Sequence, residues 1–187
     1  ALPILCALFE RNVARAHYGQ ALDVGVRADV VDQSEVETLS RSIMDFKTGS
    51  LTALGLTLGG QLAGMSESDC EAMALCGRGI GTALQMFDDI GNLKSRKDPE
   101  KSLEDLVNRR LSWVWGFAAR AFSRAEYQTF LSCVRALPQQ EDLWMFFAEK
   151  RFVERATEMA RQELSSALEL PKTIFADRKS TRLNSSH

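Results

Sequence analysis

Apolar residues recur at helical spacing along nearly the whole chain, and no run alternates as a half-buried strand would. The pattern predicts a first helix over about Pro3 to Val26. A second opens after Ser34, where Glu37 completes a capping-box spacing, and reaches about Phe46. A third spans Ser50 to Ala63, with Leu51, Leu54, Leu58 and Leu62 on one side and Gly64 to end it. Ser66 or Ser68 then caps a long helix from Asp69 to about Leu93. The polar connector KSRKDPEKS reads as a loop, followed by a helix from Arg109 to Phe122. Ser123 and Glu126 repeat the capping-box spacing and open another helix. Pro138 leads into a last one, from about Gln139 to Leu168, expected to stop before Pro171. No fixed-period repeat and no domain linker interrupts the series. The chain reads as an all-α bundle.

The long fourth helix is unusual. From Ala72 to Phe87 its only charged residue is Arg78, so it is apolar nearly all round and belongs in the centre of the bundle. Near its end lies ALQMFDDIGN. At about 100° per residue, Gln85, Asp88, Asp89 and Asn92 fall at about 0°, −60°, 40° and −20°, one polar arc on a helix built for burial. Two ionised carboxylates side by side repel each other and lose hydration. A hard divalent cation compensates such a cluster, and magnesium commonly binds through one or two carboxylates together with water and phosphate oxygens. The other reading is a helix end emerging into solvent, although acids at a helix C-terminus oppose the dipole. Basic residues favour the first reading. Lys47 and Thr48 stand between two helices, Lys101 lies in the connector, and Arg109 and Arg110 begin the next helix. Singly each reads as a solvated surface charge; together they suit the phosphate oxygens that a magnesium ion also holds.

Composition narrows the classes. The last eleven residues, DRKSTRLNSSH, match the translation of a common sequencing adapter, so residues 177–187 are read as a non-native tail. Without their three bases and one acid, the formal net charge moves from −2 to −4. That balance argues against nucleic acid as a partner. With 45% hydrophobic residues, the remainder buries a sizeable core as one domain or part of one. Cys6, Cys70, Cys76 and Cys133 form no metal-ligand spacing and read as reduced thiols of a cytoplasmic protein. The longest uncharged run, TGSLTALGLTLGGQLAGMS, carries Thr, Gln and many Gly and is a poor membrane span. Its glycines are read as sites of close helix packing or as room beside a pocket, with Gly55 and Gly59 a hypothetical space for a substrate tail.

Four segments in order resemble the trans-isoprenyl diphosphate synthase (polyprenyl synthetase) family. HYGQALDV resembles its G-Q-x-x-D helix, with Gln20 and Asp23 in the motif positions. FKTGSLTALGLTLGGQLAG is similar to its K-T-x-x-L segment, ALQMFDDIGN to its second aspartate-rich motif, and KSLEDLVNRRLSW to its later G-K-x-x-x-D-L segment. The resemblance implies an antiparallel helical bundle of the isoprenoid synthase type and a homodimer. It implies a magnesium-assisted condensation of an allylic diphosphate with isopentenyl diphosphate. Asp88 and Asp89 would ligate Mg2+, with Asn92 and Asp23 as weaker ligands. Gln85 would orient that shell, and Lys47, Thr48, Lys101, Arg110 and Gln20 would bind substrate.

Departures accompany the likeness. Asn92 stands where the family has a third Asp, and Glu100 replaces the usual Gly before Lys101. The family's first aspartate-rich motif would precede the helix of Gln20. Residues 1–176 are therefore read as the C-terminal part of one such domain with its N-terminal helices missing, expected to be inactive alone. Two alternatives stay open: a terpene cyclase or head-to-head synthase on the same bundle, or a non-catalytic subunit of a heteromeric synthase. For the subunit, the apolar surface around Leu143, Trp144, Phe146 and Phe147 would serve as a dimer face, against plain core packing.

Overall fold

The computed structural model describes residues 2–94 and 102–184, with side chains described for 2–93 and 102–172. Among them every regular element is helical, and the nearest thing to sheet is an isolated bridge between Arg27 and Arg110. Helix α1 covers Leu2–Gly25, and a short 3-10 turn, Ala28–Val30, leads into α2, Gln33–Met44. Asp32 caps α2 by accepting the N–H of Ser34, so the cap lies two residues before the predicted Ser34. Asp and Ser both serve there, and position in the turn decided between them.

The predicted gap between the second and third helices is not a gap. Asp45–Gly49 forms one π-helical turn, with the Ser50 N–H donating to the carbonyl of Asp45, and joins α2 to α3, Ser50–Leu62. Such a turn rotates the side chains that follow it and is frequent at functional sites. Gly64 closes the segment in the left-handed region at φ 70°, as its position predicts.

Helix α4, Glu67–Lys94, is the axis of the bundle and packs against α2, α3, the π turn and two later helices. Ser66 accepts the Asp69 N–H at its start. Glycines let its neighbours approach. A methyl group added at Gly77 would lie 2.6 Å from the Ala53 Cα, and one at Gly81 would lie 2.7 Å from the Gly49 Cα. Arg78, the one charge in the apolar stretch, pairs with Asp45 of the π turn.

After the undescribed residues 95–101 comes a short helix α5, Glu104–Val107, then an extended stretch into α6, Trp113–Ala121. The predicted helix from Arg109 therefore starts four residues late. Arg109 adopts φ 58°, its carbonyl accepts the Ala28 N–H at 2.8 Å, and this pins the stretch to the α1–α2 connection. Helix α7, Arg124–Arg135, opens with the expected capping box of Ser123 and Glu126.

The last predicted helix is two: α8, Glu141–Glu149, and α9, Phe152–Asn184. The break falls at Arg151, φ 49°, with no Gly or Pro to announce it. The turn brings Phe147 and Phe152 into a stack, centroids 4.2 Å apart, inside an aromatic core with Phe117, Phe122, Phe130 and Phe146. Burial of that pair outweighs the left-handed residue. Pro171 lies within α9 rather than after it. Its ring removes one backbone bond, while packing of α9 along α4 supplies an opposing gain. Leu143, Phe146 and Phe147 are core residues, so the aromatic cluster packs inward. Among the described residues no helix is long and apolar enough to cross a membrane.

Candidate functional site

Four pieces of chain meet at the C-terminal end of α4. Helix α4 supplies Gln85, Asp88, Asp89 and Asn92; the end of α1 supplies Asp23; the α2–π turn supplies Met44 and Lys47. The segment from α5 to the start of α6 supplies Glu104, Asp105, Arg110 and Ser112. Together they line a cavity of about 200 Å³. The four residues placed on one arc of the long helix all reach it, as the spacing predicts.

The two aspartates, however, divide. Asp88 is exposed toward the cavity mouth. Asp89 is 5% exposed, and each of its oxygens accepts a hydrogen bond: Oδ1 from Gln85 Nε2 at 2.9 Å, Oδ2 from the Trp113 backbone N–H at 2.6 Å. Burial pushes the Asp89 carboxyl up to about 7, against those two donors, and the negative charges of Asp105 and Asp88 push it further the same way. Gln85 extends the chain of bonds, its Oε1 accepting from the Thr48 hydroxyl at 2.8 Å. Thr48 therefore sits behind the cavity wall and orients Gln85.

The cations of the site are held by acids. Lys47 Nζ lies 2.7 Å from Asp23 Oδ2, and Arg110 lies 3.7 Å from Glu104. Arg109, read beside Arg110 in the sequence, turns away: its guanidinium donates to the Leu106 carbonyl and lies 3.8 Å from Asp29. Of the other predicted residues, Gln20 is exposed and does not line the cavity, and Lys101 lies outside the described residues. Glu104 and Asp105 were not singled out from the sequence. Asp105 occupies the acidic position of the KSLEDL segment, the sequence signal that marks it; burial holds its carboxyl above the ordinary range.

The donors suit a hard cation. Asp88, Asn92, Asp23, Glu104 and Asp105 offer oxygen alone, and Asp88 is open to solvent, as a partly hydrated magnesium ion requires. Among the described residues no three His, Cys, Asp or Glu converge as a ready-made metal cage. Magnesium does not need one, because it usually takes one or two carboxylates and completes its shell with water and phosphate oxygens.

Over 85 residues the chain is 31% identical to a geranylgeranyl diphosphate synthase of Sulfolobus acidocaldarius, a match covering 44% of the chain and 24% of that protein. Its fold is similar to a decaprenyl diphosphate synthase from Rhodobacter capsulatus (TM-score 0.71, 19% identity, 89% of the chain and 52% of that structure). It is also similar to a polyprenyl synthase from Roseobacter denitrificans (TM-score 0.69, 17% identity, 92% and 56%). The chain thus spans about half the length of the solved structures it matches and a quarter of the curated relative. The polyprenyl synthetase profile matches residues 2–147, through α1 to α8 and every described residue of the cavity, and the chain belongs to the polyprenyl synthetase family.

Proposed function

We propose that residues 1–176 are the C-terminal part of a prenyl diphosphate synthase domain, and that the cavity at the end of α4 binds the diphosphate of an allylic or isopentenyl substrate with magnesium. The observation that carries the reading is the convergence of Asp88, Lys47, Gln85 and Arg110, from three separate parts of the chain, on one polar cavity. Magnesium, when bound, supplies a Lewis acid that neutralises the departing diphosphate. Asp88 is the carboxylate placed to hold it, with Asn92 one turn on as a neutral oxygen donor. Lys47 and Arg110 are placed to take phosphate oxygens, each exchanging an acidic partner, Asp23 or Glu104, for the ligand. Gln85, fixed from both ends, presents a rigid edge to the same space. The reaction so served is head-to-tail condensation of an allylic diphosphate with isopentenyl diphosphate and release of diphosphate.

Calorimetric titration of the chain with inorganic pyrophosphate, with and without magnesium, tests the site. Binding is expected only with the metal, and weakened at least about tenfold by Lys47→Ala, in line with the loss of a charge-assisted bond. Metal-independent binding, or a Lys47 variant that binds as the original does, overturns the reading. In the full-length protein, consumption of isopentenyl diphosphate with an allylic partner distinguishes condensation from cyclisation, which consumes the allylic substrate alone.

A further inference from the structure

We propose that Asp89, unlike Asp88, is a positioning residue: its carboxylate orients Gln85 and fastens the first turn of α6 to α4, and it does not ligate metal. The inference rests on the functional reading of the cavity and divides the labour of the two adjacent acids.

Neighbouring residues of a helix stand about 100° apart, so Asp88 and Asp89 meet the cavity from different angles. Here Asp88 is exposed and Asp89 is 5% exposed, with both Asp89 oxygens in hydrogen bonds to described residues. Both of its oxygens are thus engaged by protein donors, one from α4 and one from the start of α6, and it is the deeper of the two acids on the cavity wall.

The bonds have a direction. An ionised carboxylate accepts and cannot donate. Gln85 must therefore turn its NH2 toward Asp89, which turns its carbonyl oxygen toward Thr48 and makes the Thr48 hydroxyl the donor. While ionised, this one buried carboxylate sets the orientation of Gln85 on the cavity wall and of Thr48 behind it. Its second oxygen takes a backbone N–H at the start of α6, where Ser112 occupies the cap position but makes no side-chain cap. Arg110 lies three residues before that N–H. Fastening Trp113 to α4 fixes the stretch that presents Arg110 to the cavity.

Asparagine substitution at each acid separates the roles. Asp89→Asn keeps an acceptor for Trp113 but sets its new NH2 against that of Gln85, so the chain of bonds breaks or reverses. The exchanged pair, Asp89→Asn with Gln85→Glu, restores every bond, with the one between positions 85 and 89 reversed: the new amide donates to the new carboxylate, which also accepts from Thr48. The probe is manganese binding in the presence of inorganic pyrophosphate, followed by electron paramagnetic resonance, with melting temperature measured in parallel.

Asp88→Asn is expected to weaken manganese binding at least about tenfold, because a charged ligand becomes neutral. Asp89→Asn is expected to weaken manganese binding far less than Asp88→Asn does and to lower the melting temperature, and the exchanged pair to recover it. Equal loss of manganese affinity in both asparagine variants makes Asp89 a ligand and overturns the proposal. So does failure of the exchanged pair to recover the melting temperature. If Asp88→Asn also leaves manganese binding intact, the functional reading of the cavity falls, and the melting temperatures still decide whether Asp89 fastens the helices.

Discussion

Replacing Gly81 with alanine should push α4 away from the π turn and disturb the cavity without touching any group that lines it. The added methyl would stand 2.7 Å from the Gly49 Cα, 2.8 Å from the Thr48 carbonyl oxygen and 2.8 Å from the Thr52 hydroxyl. Carbon atoms rest at about 3.5–4.0 Å, so the two backbones must part by roughly 1 Å. Overpacking of this kind costs about 1–3 kcal/mol. The same displacement would stretch the 2.8 Å bond from Thr48 to Gln85 beyond hydrogen-bonding range, a further loss of about 1 kcal/mol. Alanine is the better helix former by about 1 kcal/mol, which offsets part of this. The net expectation is a loss of about 1–3 kcal/mol.

Gly55→Ala supplies the control. It too lies inside a helix, but nothing stands within 4 Å of the position its methyl would take. That variant should gain about 0.5–1 kcal/mol from helix propensity alone. Urea unfolding of the two variants beside the original protein measures the difference, and pyrophosphate titration with magnesium follows the site. Gly81→Ala should lose both stability and binding. If it is as stable as Gly55→Ala, the close crossing of α4 and the π turn does not hold the site together, and the argument from backbone approach fails.

Glu126 provides a test at acid pH. Lys150, and the Ser123 backbone and hydroxyl, hold its carboxyl down to about 2, so its contribution is present above the ordinary 4.5 and lost as pH falls toward 2. Glu126→Gln should therefore lower the melting temperature at pH 7 and leave it unchanged at pH 2; an equal loss at both would refute the assignment. Asp89 has the opposite sign. Its folded-state carboxyl lies at about 7 against 3.8, so the metal-free fold binds the proton more tightly than the unfolded chain and loses stability as pH rises from about 4 to 7. At about 1.4 kcal/mol per unit this amounts to a few kcal/mol, and Asp89→Asn should flatten the pH profile of unfolding over that window. A profile equally steep in the variant would place the titration elsewhere.

What could be read in the sequence follows from what kind of signal each feature leaves. Periodicity marks burial, so the helical class and the central place of α4 were legible, as was the polar arc of Gln85, Asp88, Asp89 and Asn92. Caps with reciprocal chemistry were legible too, Ser123 with Glu126 being the case in point. The junctions were not. The π turn at Asp45–Gly49 has no glycine or proline at its start, and its reason lies in the pairing of Asp45 with Arg15 and Arg78 from other helices. The break at Arg151 is set by the stacking of Phe147 on Phe152, a contact that exists only once the chain has turned. In both places tertiary contacts override local preference, and local preference is all that a spacing rule can see.

The same distinction bears on the acids. A spacing argument gives each residue an angle about its helix and assigns neighbours within one arc to one job. It says nothing of depth. Asp88 and Asp89 differ by depth: one stands at the cavity mouth, the other meets the backbone of Trp113, which arrives 24 residues later in the chain. A buried carboxylate is tolerable where its acceptors are satisfied, and the cost of leaving them unsatisfied ties the helices on either side into one arrangement. The outer acid alone would lack the direct bond from α4 to the start of α6, close to Arg110. The inner acid alone would fasten a wall that faces no ligand. On the proposed division of labour, a doubled aspartate on a helix otherwise apolar is informative for a reason beyond its charge: the outer carboxylate serves the ligand and the inner one the helices.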